Sequence, residues 1–116
     1  MQQLKEKRSA PANLNATVAA VVNTQQVVIN KGAEDGIAFG QRFTLYELSD
    51  QDIIDPTTNE SLGRLETIKG TGKIVHIQDK LSILEAIPES ELLALFATPP
   101  RSTFKDPKVG DKARPI

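Results

Sequence analysis

The chain has 116 residues, which is enough for one domain with a modest hydrophobic core. Its 14 basic and 15 acidic residues give a formal net charge of −1, which excludes the global positive field that draws in nucleic acid or an anionic membrane. Because the sequence has no cysteine, disulfides, thiolate zinc sites and a cysteine nucleophile are excluded as well.

The N-terminal stretch, residues 1–12, is polar and charged and ends in Ala-Pro-Ala, so it predicts a flexible lead-in before one domain over residues 13–116. It lacks the apolar core of a signal peptide, and no stretch approaches the ~20 apolar residues of a membrane span. The sequence therefore predicts a cytoplasmic protein without membrane insertion, or a periplasmic one if the chain is a fragment of an exported protein.

The first part of the domain predicts three strands. Period-two alternation over residues 14–22 and a short apolar run over 26–30 predict a hairpin with its turn at 23–25. Gly32, Gly36 and Gly40 follow at four-residue steps, and the dipeptide Asp35-Gly36 is typical of a turn. A stretch rich in β-forming residues at 42–48 predicts the third strand.

The second part predicts further strands and one helix. A turn cluster over residues 55–63 precedes strands over 62–70 and 71–78, which join through a bend or bulge at Gly70 and Gly72. Another strand is predicted over 81–87, and the last residues are typical of a final edge strand. After Pro88 the apolar period changes, which predicts a short helix over 89–97 with acidic residues at its start.

These elements together predict the fold class. Six or seven short strands with frequent turn signals and one small helix near the C-terminus favour a mainly β fold, a small antiparallel barrel. Alternating β and α units are missing from the pattern, which argues against a nucleotide-binding α/β fold.

Four stretches of the sequence carry a family resemblance. They are NKGAEDGIAFGQRFTLYE, IIDPTTNESLGRLE, GKIVHIQDKLSILEA and KVGDKARPI. Over residues 14–87 and 104–116 the chain resembles the C-terminal domain of the bacterial flagellar assembly protein T. The resemblance implies a small SH3-like β-barrel that serves as an accessory module without known catalysis, in an exported protein with further domains ahead of it.

Three residue groups are candidate sites for small ligands. The glycine series before residue 42 leads into a β-rich segment, not the helix that a phosphate-binding loop requires, so turn geometry is favoured. His76 is the only histidine and has no distinctive metal-binding partners, so a partly exposed strand histidine is favoured. The acids in and just before the turn cluster over residues 55–63 lack the spacing of a calcium loop, which favours a solvated, turn-capping role. We therefore expect no catalytic residue, metal or cofactor.

Two groups remain as candidate partner sites. Apolar residues of the predicted helix would either plug one end of the barrel or contact a partner, and the first alternative is favoured. Basic residues, with Tyr46 for stacking, would form a basic face that binds nucleic acid. The candidate partner-binding residues are Leu92, Leu93, Leu95 and Phe96, and the candidate basic face comprises Arg64, Lys69, Lys73 and Lys80.

The sequence thus predicts a non-catalytic β-barrel module for protein–protein interaction or assembly, with a protein partner or self-association, in a flagellar or cell-envelope setting. The alternative hypothesis is a small barrel that binds nucleic acid or a nucleotide, although the near-zero net charge argues against it. An enzyme is the least favoured class, because catalysis would have to depend on carboxylates or lysines that show no distinctive spacing.

Overall fold

A computed structural model describes residues 14–88 and 102–116. Within these ranges six strands form one antiparallel sheet, and the helical content is a single 3-10 turn over Ala33–Asp35. The prediction of a mainly β fold is confirmed. The predicted lead-in and the helix over 89–97 lie outside the described residues. The strands are β1 (Ala16–Val21), β2 (Gln26–Ile29), β3 (Arg42–Ile54), β4 (Ser61–Ile77), β5 (Ser82–Ile87) and β6 (Lys112–Pro115).

The sheet closes on itself. Its hydrogen-bonded order is β1-β2-β5-β4-β3-β6, and β6 pairs with both β1 and β3. Ala113, in the middle of β6, is the register partner of Ala16 on one side and of Leu45 on the other. The prediction of a final edge strand is therefore wrong. The sequence of a four-residue strand between turns does not show how many neighbouring strands will pair with it.

The sequence has only four Phe, one Tyr and no Trp, which predicts an aliphatic core, and the core inside this closed sheet is aliphatic apart from two phenylalanines. Phe43 comes from β3, and Phe104 comes from the segment before β6. A side chain at Gly72 would overlap both Phe104 and Leu84, so glycine is required there for close packing. The buried apolar residues are Ala16, Val18, Val27, Ile29, Ile37, Phe43, Leu45, Ile74, Leu84, Ala86, Phe104 and Ala113.

Two sequence predictions about β4 and its neighbours are resolved here. The predicted strands over 62–70 and 71–78 are one strand of 17 residues, with a register shift where Leu45 and Tyr46 of β3 face Gly70 and Ile68. The predicted strand over 42–48 continues to Ile54, because it finds a pairing partner in the N-terminal half of β4. Both strands are therefore much longer than the four to six residues of the other four.

The extra length of β3 and β4 leaves the closed sheet. The last pair between β3 and β6 is Tyr46–Lys112, and the last pair between β4 and β5 is Thr71–Ile87. Beyond those points β3 and β4 pair only with each other, up to Ile54 and Ser61. We call this two-stranded projection with its tip, residues 48–66, the arm, and the rest of the described chain the body.

Candidate functional site: the arm and its base

The arm carries apolar side chains that have no core to pack into. None of its residues is buried, and the apolar residues Ile54 and Leu62 are 49% and 64% exposed. Ile53 and Leu65 are exposed to a similar degree. An isolated two-stranded hairpin is marginally stable in water, and exposed apolar groups on such an element mark a surface for a partner.

The tip of the arm is ordered by local hydrogen bonds. The Asp55 carboxylate accepts a 2.8 Å bond from the Thr57 amide, and this bond lowers the pKa of Asp55 below its ordinary value. The Asp55 amide donates to the Glu60 carbonyl at 2.9 Å, and the Asn59 amide donates to the Asp55 carbonyl at 2.8 Å. Asn59 has a φ of 66°, a left-handed conformation that asparagine tolerates. The tip therefore holds its shape without packing.

A second set of bonds fixes the middle of the arm, where the β3–β4 register shifts between Leu48 and Asp52. The Ser49 hydroxyl donates to the Gln51 carbonyl at 2.9 Å and accepts from the Leu65 amide at 2.9 Å. The Arg64 guanidinium donates to the Ser49 carbonyl at 2.6 Å. Side chains thus replace the ladder bonds that the bulged residues cannot make, and the arm has one defined geometry.

The arm is strongly acidic. Residues 48–66 contain five acidic residues and one arginine, which gives a net charge of −4. Glu66, next to the body, pairs with Arg114 at 2.8 Å. Among the described residues no ion pair involves the other four acids, Asp50, Asp52, Asp55 and Glu60. Of the acids that the sequence offered as calcium ligands, Asp55 accepts from the backbone of the turn, and Asp52 and Glu60 accept from the hydroxyls of Ser61 and Thr58.

The base of the arm is held by a buried lysine. Lys69, only 4% exposed in its side chain, lies 2.8 Å from the carboxylate of Asp111, which is 3% exposed, and 3.0 Å from that of Glu47. It also donates to the Asp106 carbonyl at 2.8 Å. All three ammonium hydrogens therefore have acceptors, as a buried cation requires. The lysine joins β3 and β4 to the segment that leads into β6.

Electrostatics at this base follow from the pairing. The hydrogen bond from Lys69 and its positive charge lower the pKa of Glu47. Burial by itself lowers the pKa of Lys69, but its bonds to Asp111 and Glu47 outweigh that effect, so the pKa of Lys69 is raised. Both groups thus stay charged near neutral pH. This arrangement is suited to fastening chain segments together, and its lysine is not a free base or nucleophile.

The outer side of the base carries an aromatic–cation contact. Tyr46 and Ile68 are register partners, so their side chains lie on the same face of the sheet. The Arg114 guanidinium lies 4.5 Å from the centre of the Tyr46 ring while it pairs with Glu66. One face of the Tyr46 ring is therefore already covered by a cation of its own chain, which makes Tyr46 less available for stacking with a base.

The four residues proposed as a basic face do not form one. Lys69 is buried and paired, and Arg64 lies among the acids of the arm. Lys73 is nine residues further along β4, roughly 30 Å from Arg64 on an extended strand. Lys80 is exposed in the turn before β5. Strand alternation predicts the wrong side of the sheet for the Lys69 side chain, because the bulge turns this side chain inward.

The remaining predicted sites have structural roles. Gly36 and Gly40 have positive φ, and Gly32 lies so close to the Gln78 carbonyl that no side chain fits, so the glycine series is turn geometry. His76 is exposed, with its imidazole 3.1 Å from the Gln78 side chain. No metal-binding group of His, Cys, Asp or Glu occurs within the described ranges. The candidate residues Leu92, Leu93, Leu95 and Phe96 lie outside these ranges.

Sequence reasoning missed the arm as a unit. Its signal was present as an apolar pair, Ile53-Ile54, and two leucines, Leu62 and Leu65, on the two sides of an acidic turn cluster. Apolar residues on both sides of a turn predict a hairpin. Only the pairing pattern shows that this hairpin extends past every other strand.

Comparison of the sequence with models of known protein families gives no match, and comparison with curated proteins gives none either. In the part of the chain that the structure describes, no helix has the length and apolar character needed to cross a membrane. The function is therefore inferred from the geometry of the arm and its base.

Proposed function

We propose that this chain is a non-catalytic β module that associates with a protein through its arm. The observation that carries the proposal is the arm itself, an ordered projection with exposed apolar side chains and no buried residue. Because local hydrogen bonds already define the shape of the arm, little conformational entropy of the arm is lost when a partner binds to it. The free edges of β3 and β4 also offer unpaired backbone groups for an added strand.

The closed six-stranded sheet supports a finer proposal about the class of the module. We assign it to the small SH3-like barrels, in which a short closed sheet presents long hairpins and loops. The resemblance to the flagellar assembly protein T domain points the same way, to an accessory role in a flagellar or cell-envelope assembly. In that setting the chain would lie in the periplasm as part of an exported protein.

A non-catalytic role agrees with the chemistry of the described residues. The one histidine contacts a glutamine side chain, and the buried lysine has all its hydrogens bonded. The acids of the arm are spread along two strands and a turn and do not converge on one point. These groups suit surface recognition better than proton transfer.

Site-specific photo-crosslinking tests the proposal. A photoreactive amino acid in place of Leu62, near the tip, is expected to give covalent adducts with protein in cells that produce the chain. The matched control carries the same group in place of Lys80, which is equally exposed but lies on the body. Equal adducts from both positions, or none from position 62, would contradict an association surface on the arm.

The nucleic-acid alternative has less support, because its basic residues are dispersed and the arm repels phosphate. It predicts binding to labelled single strands that weakens steeply as salt increases. A titration at low salt with no change in fluorescence anisotropy would end that alternative.

A further inference from the structure

The body carries a surface that complements the arm. Arg42 and Lys73 are register partners at the start of β3, both exposed, so two positive side chains lie next to each other on one face. Within the described residues neither takes part in an ion pair. Like charges placed directly opposite each other in a sheet are unfavourable unless an anion covers them. Glu85, the partner of Lys73 on β5, binds Gln26 instead.

An exposed aromatic ring adjoins this basic pair. The Gly40 amide donates to the Ile74 carbonyl at 2.9 Å and the Ile74 amide donates to the Gln41 carbonyl at 2.9 Å, so residues 39–42 run beside residues 73 and 74. Phe39, at the start of this stretch, is 73% exposed. We call Phe39, Arg42 and Lys73 the basic patch. It combines an apolar anchor with two cations, whereas the tip of the arm combines exposed Ile54 and Leu62 with unpaired acids.

The two surfaces lie at opposite ends of one strand. β3 begins at Arg42, in the basic patch, and ends at Ile54, beside the tip. Thirteen extended residues place these ends on the order of 40 Å apart. One molecule therefore cannot easily cover its own patch with its own arm, and the contact has to form between molecules.

We propose that the occupant of the arm is a second copy of this chain, joined head to tail, with the acidic tip of one copy on the basic patch of the next. Symmetric arm-to-arm pairing is disfavoured, because it places a charge of −4 against another charge of −4. When two copies make this contact reciprocally, each arm on the other copy's patch, they form a closed two-fold dimer. When they make it once, one arm and one patch stay free, and the contact grows into a chain or closes into a larger ring.

This inference depends on the proposed function and names its partner. Two double variants test it. The arm variant carries Asp50→Lys and Glu60→Lys, and the patch variant carries Arg42→Glu and Lys73→Glu. Sedimentation velocity over a concentration series at low salt is expected to show dimers or larger species for the unchanged chain. Each variant alone is expected to associate at least about tenfold more weakly, because like charges then meet at the contact.

The mixture of the two variants is the decisive sample. Each variant keeps one intact surface, so the unaltered arm of the patch variant fits the unaltered patch of the arm variant. The mixture is expected to recover association, because the reversed arm of one variant also carries the opposite charge to the reversed patch of the other. Raising the sodium chloride concentration is expected to dissociate both the mixed assembly and the unchanged one, since exposed charges are screened.

Controls separate specific loss from general change of charge. Lys80→Glu with Lys105→Glu matches the patch variant, and Glu34→Lys with Asp79→Lys matches the arm variant, at exposed positions outside both surfaces. Circular dichroism and thermal unfolding confirm that each variant is folded. Controls that also lose assembly, a mixture that does not associate, or an unchanged chain that is monomeric at every concentration would overturn the proposal.

Failure here is distinguishable from failure of the proposed function. If position 62 crosslinks to a different protein while the purified chain stays monomeric, the arm is an association surface and only the identity of the partner is wrong. If the chain forms a dimer that the arm variant abolishes and the patch variant does not, pairing is symmetric and the head-to-tail contact is overturned.

Discussion

The body and the arm share two strands, β3 and β4, but are held together differently. In the body, β3 and β4 contribute Phe43, Leu45 and Ile74 to a core that is fully shielded from water. In the arm, the same strands keep their pairing with no buried residue, through side-chain bonds such as those of Ser49 and Asp55. The difference teaches that strand pairing alone does not imply a core, and that an ordered element without one is available for a partner.

The junction between the two regions also differs from both. Lys69 and Asp111 form a buried ion pair where the arm leaves the body, next to the entry of β6. Buried ion pairs contribute little net stability compared with apolar packing, but removal of one partner is costly. The junction therefore specifies how the C-terminal segment docks more than it adds to stability.

The largest expected effect is a difference in stability between two variants that carry the same substitution, leucine to alanine, one in the body and one in the arm. Leu45→Ala in the core should lower the free energy of unfolding by about 2–5 kcal/mol, because it leaves a cavity. Leu62→Ala in the arm should change it by less than about 0.5 kcal/mol. Chemical denaturation of both variants measures the contrast, and similar losses would mean that the arm is part of the cooperative core.

The junction gives the next effect. Asp111→Ala should cost about 3 kcal/mol, at the lower end for a broken buried pair because Glu47 still accepts from Lys69. The control is Asp106→Asn, which removes an exposed ion pair with Lys108, keeps a residue that tolerates the backbone φ of 45° at this position, and should cost at most about 0.5 kcal/mol. Equal losses from the two variants would show that burial of the Lys69–Asp111 pair is energetically irrelevant.

A smaller, local effect is expected at the tip. Asp55→Ala removes the acceptor of the Thr57 amide, so arm amides should exchange with solvent severalfold faster while amides of the body keep their protection. Hydrogen exchange followed by mass spectrometry or NMR measures both regions in one sample. Faster exchange across the whole molecule would contradict the independence of arm and body.

The smallest expected effect is a dependence on pH at the junction. Because the pKa of Glu47 is lowered in the folded chain, its contribution to stability is present above its ordinary value of 4.5 and is lost as the pH falls through the folded value. The difference in thermal stability between the unchanged chain and Glu47→Gln should therefore be constant above about pH 4.5 and shrink as the pH falls further below that value. A gap that stays constant across this range would show that the bond from Lys69 does not matter for stability.

The sequence by itself determined the local elements. Alternation in β1, the β-forming run of β3 and the turn residues at 55–63 specified strands and corners, because side-chain period and backbone propensity act over a few residues. The glycine series was likewise recognisable as turn geometry. The aliphatic core followed from composition, and the mainly β class followed from the number of such elements.

Only the tertiary structure decided the rest. Three features depend on pairing between residues that are distant in sequence. β6 has two neighbouring strands, β3 and β4 continue into the arm, and Lys69 turns inward at a bulge. The basic patch arises in the same way, because Arg42 and Lys73 meet only through strand register. Local patterns set which residues can form strands, but the choice of neighbour is settled by packing and hydrogen bonding across the whole chain, and the surfaces that make contacts follow from that choice.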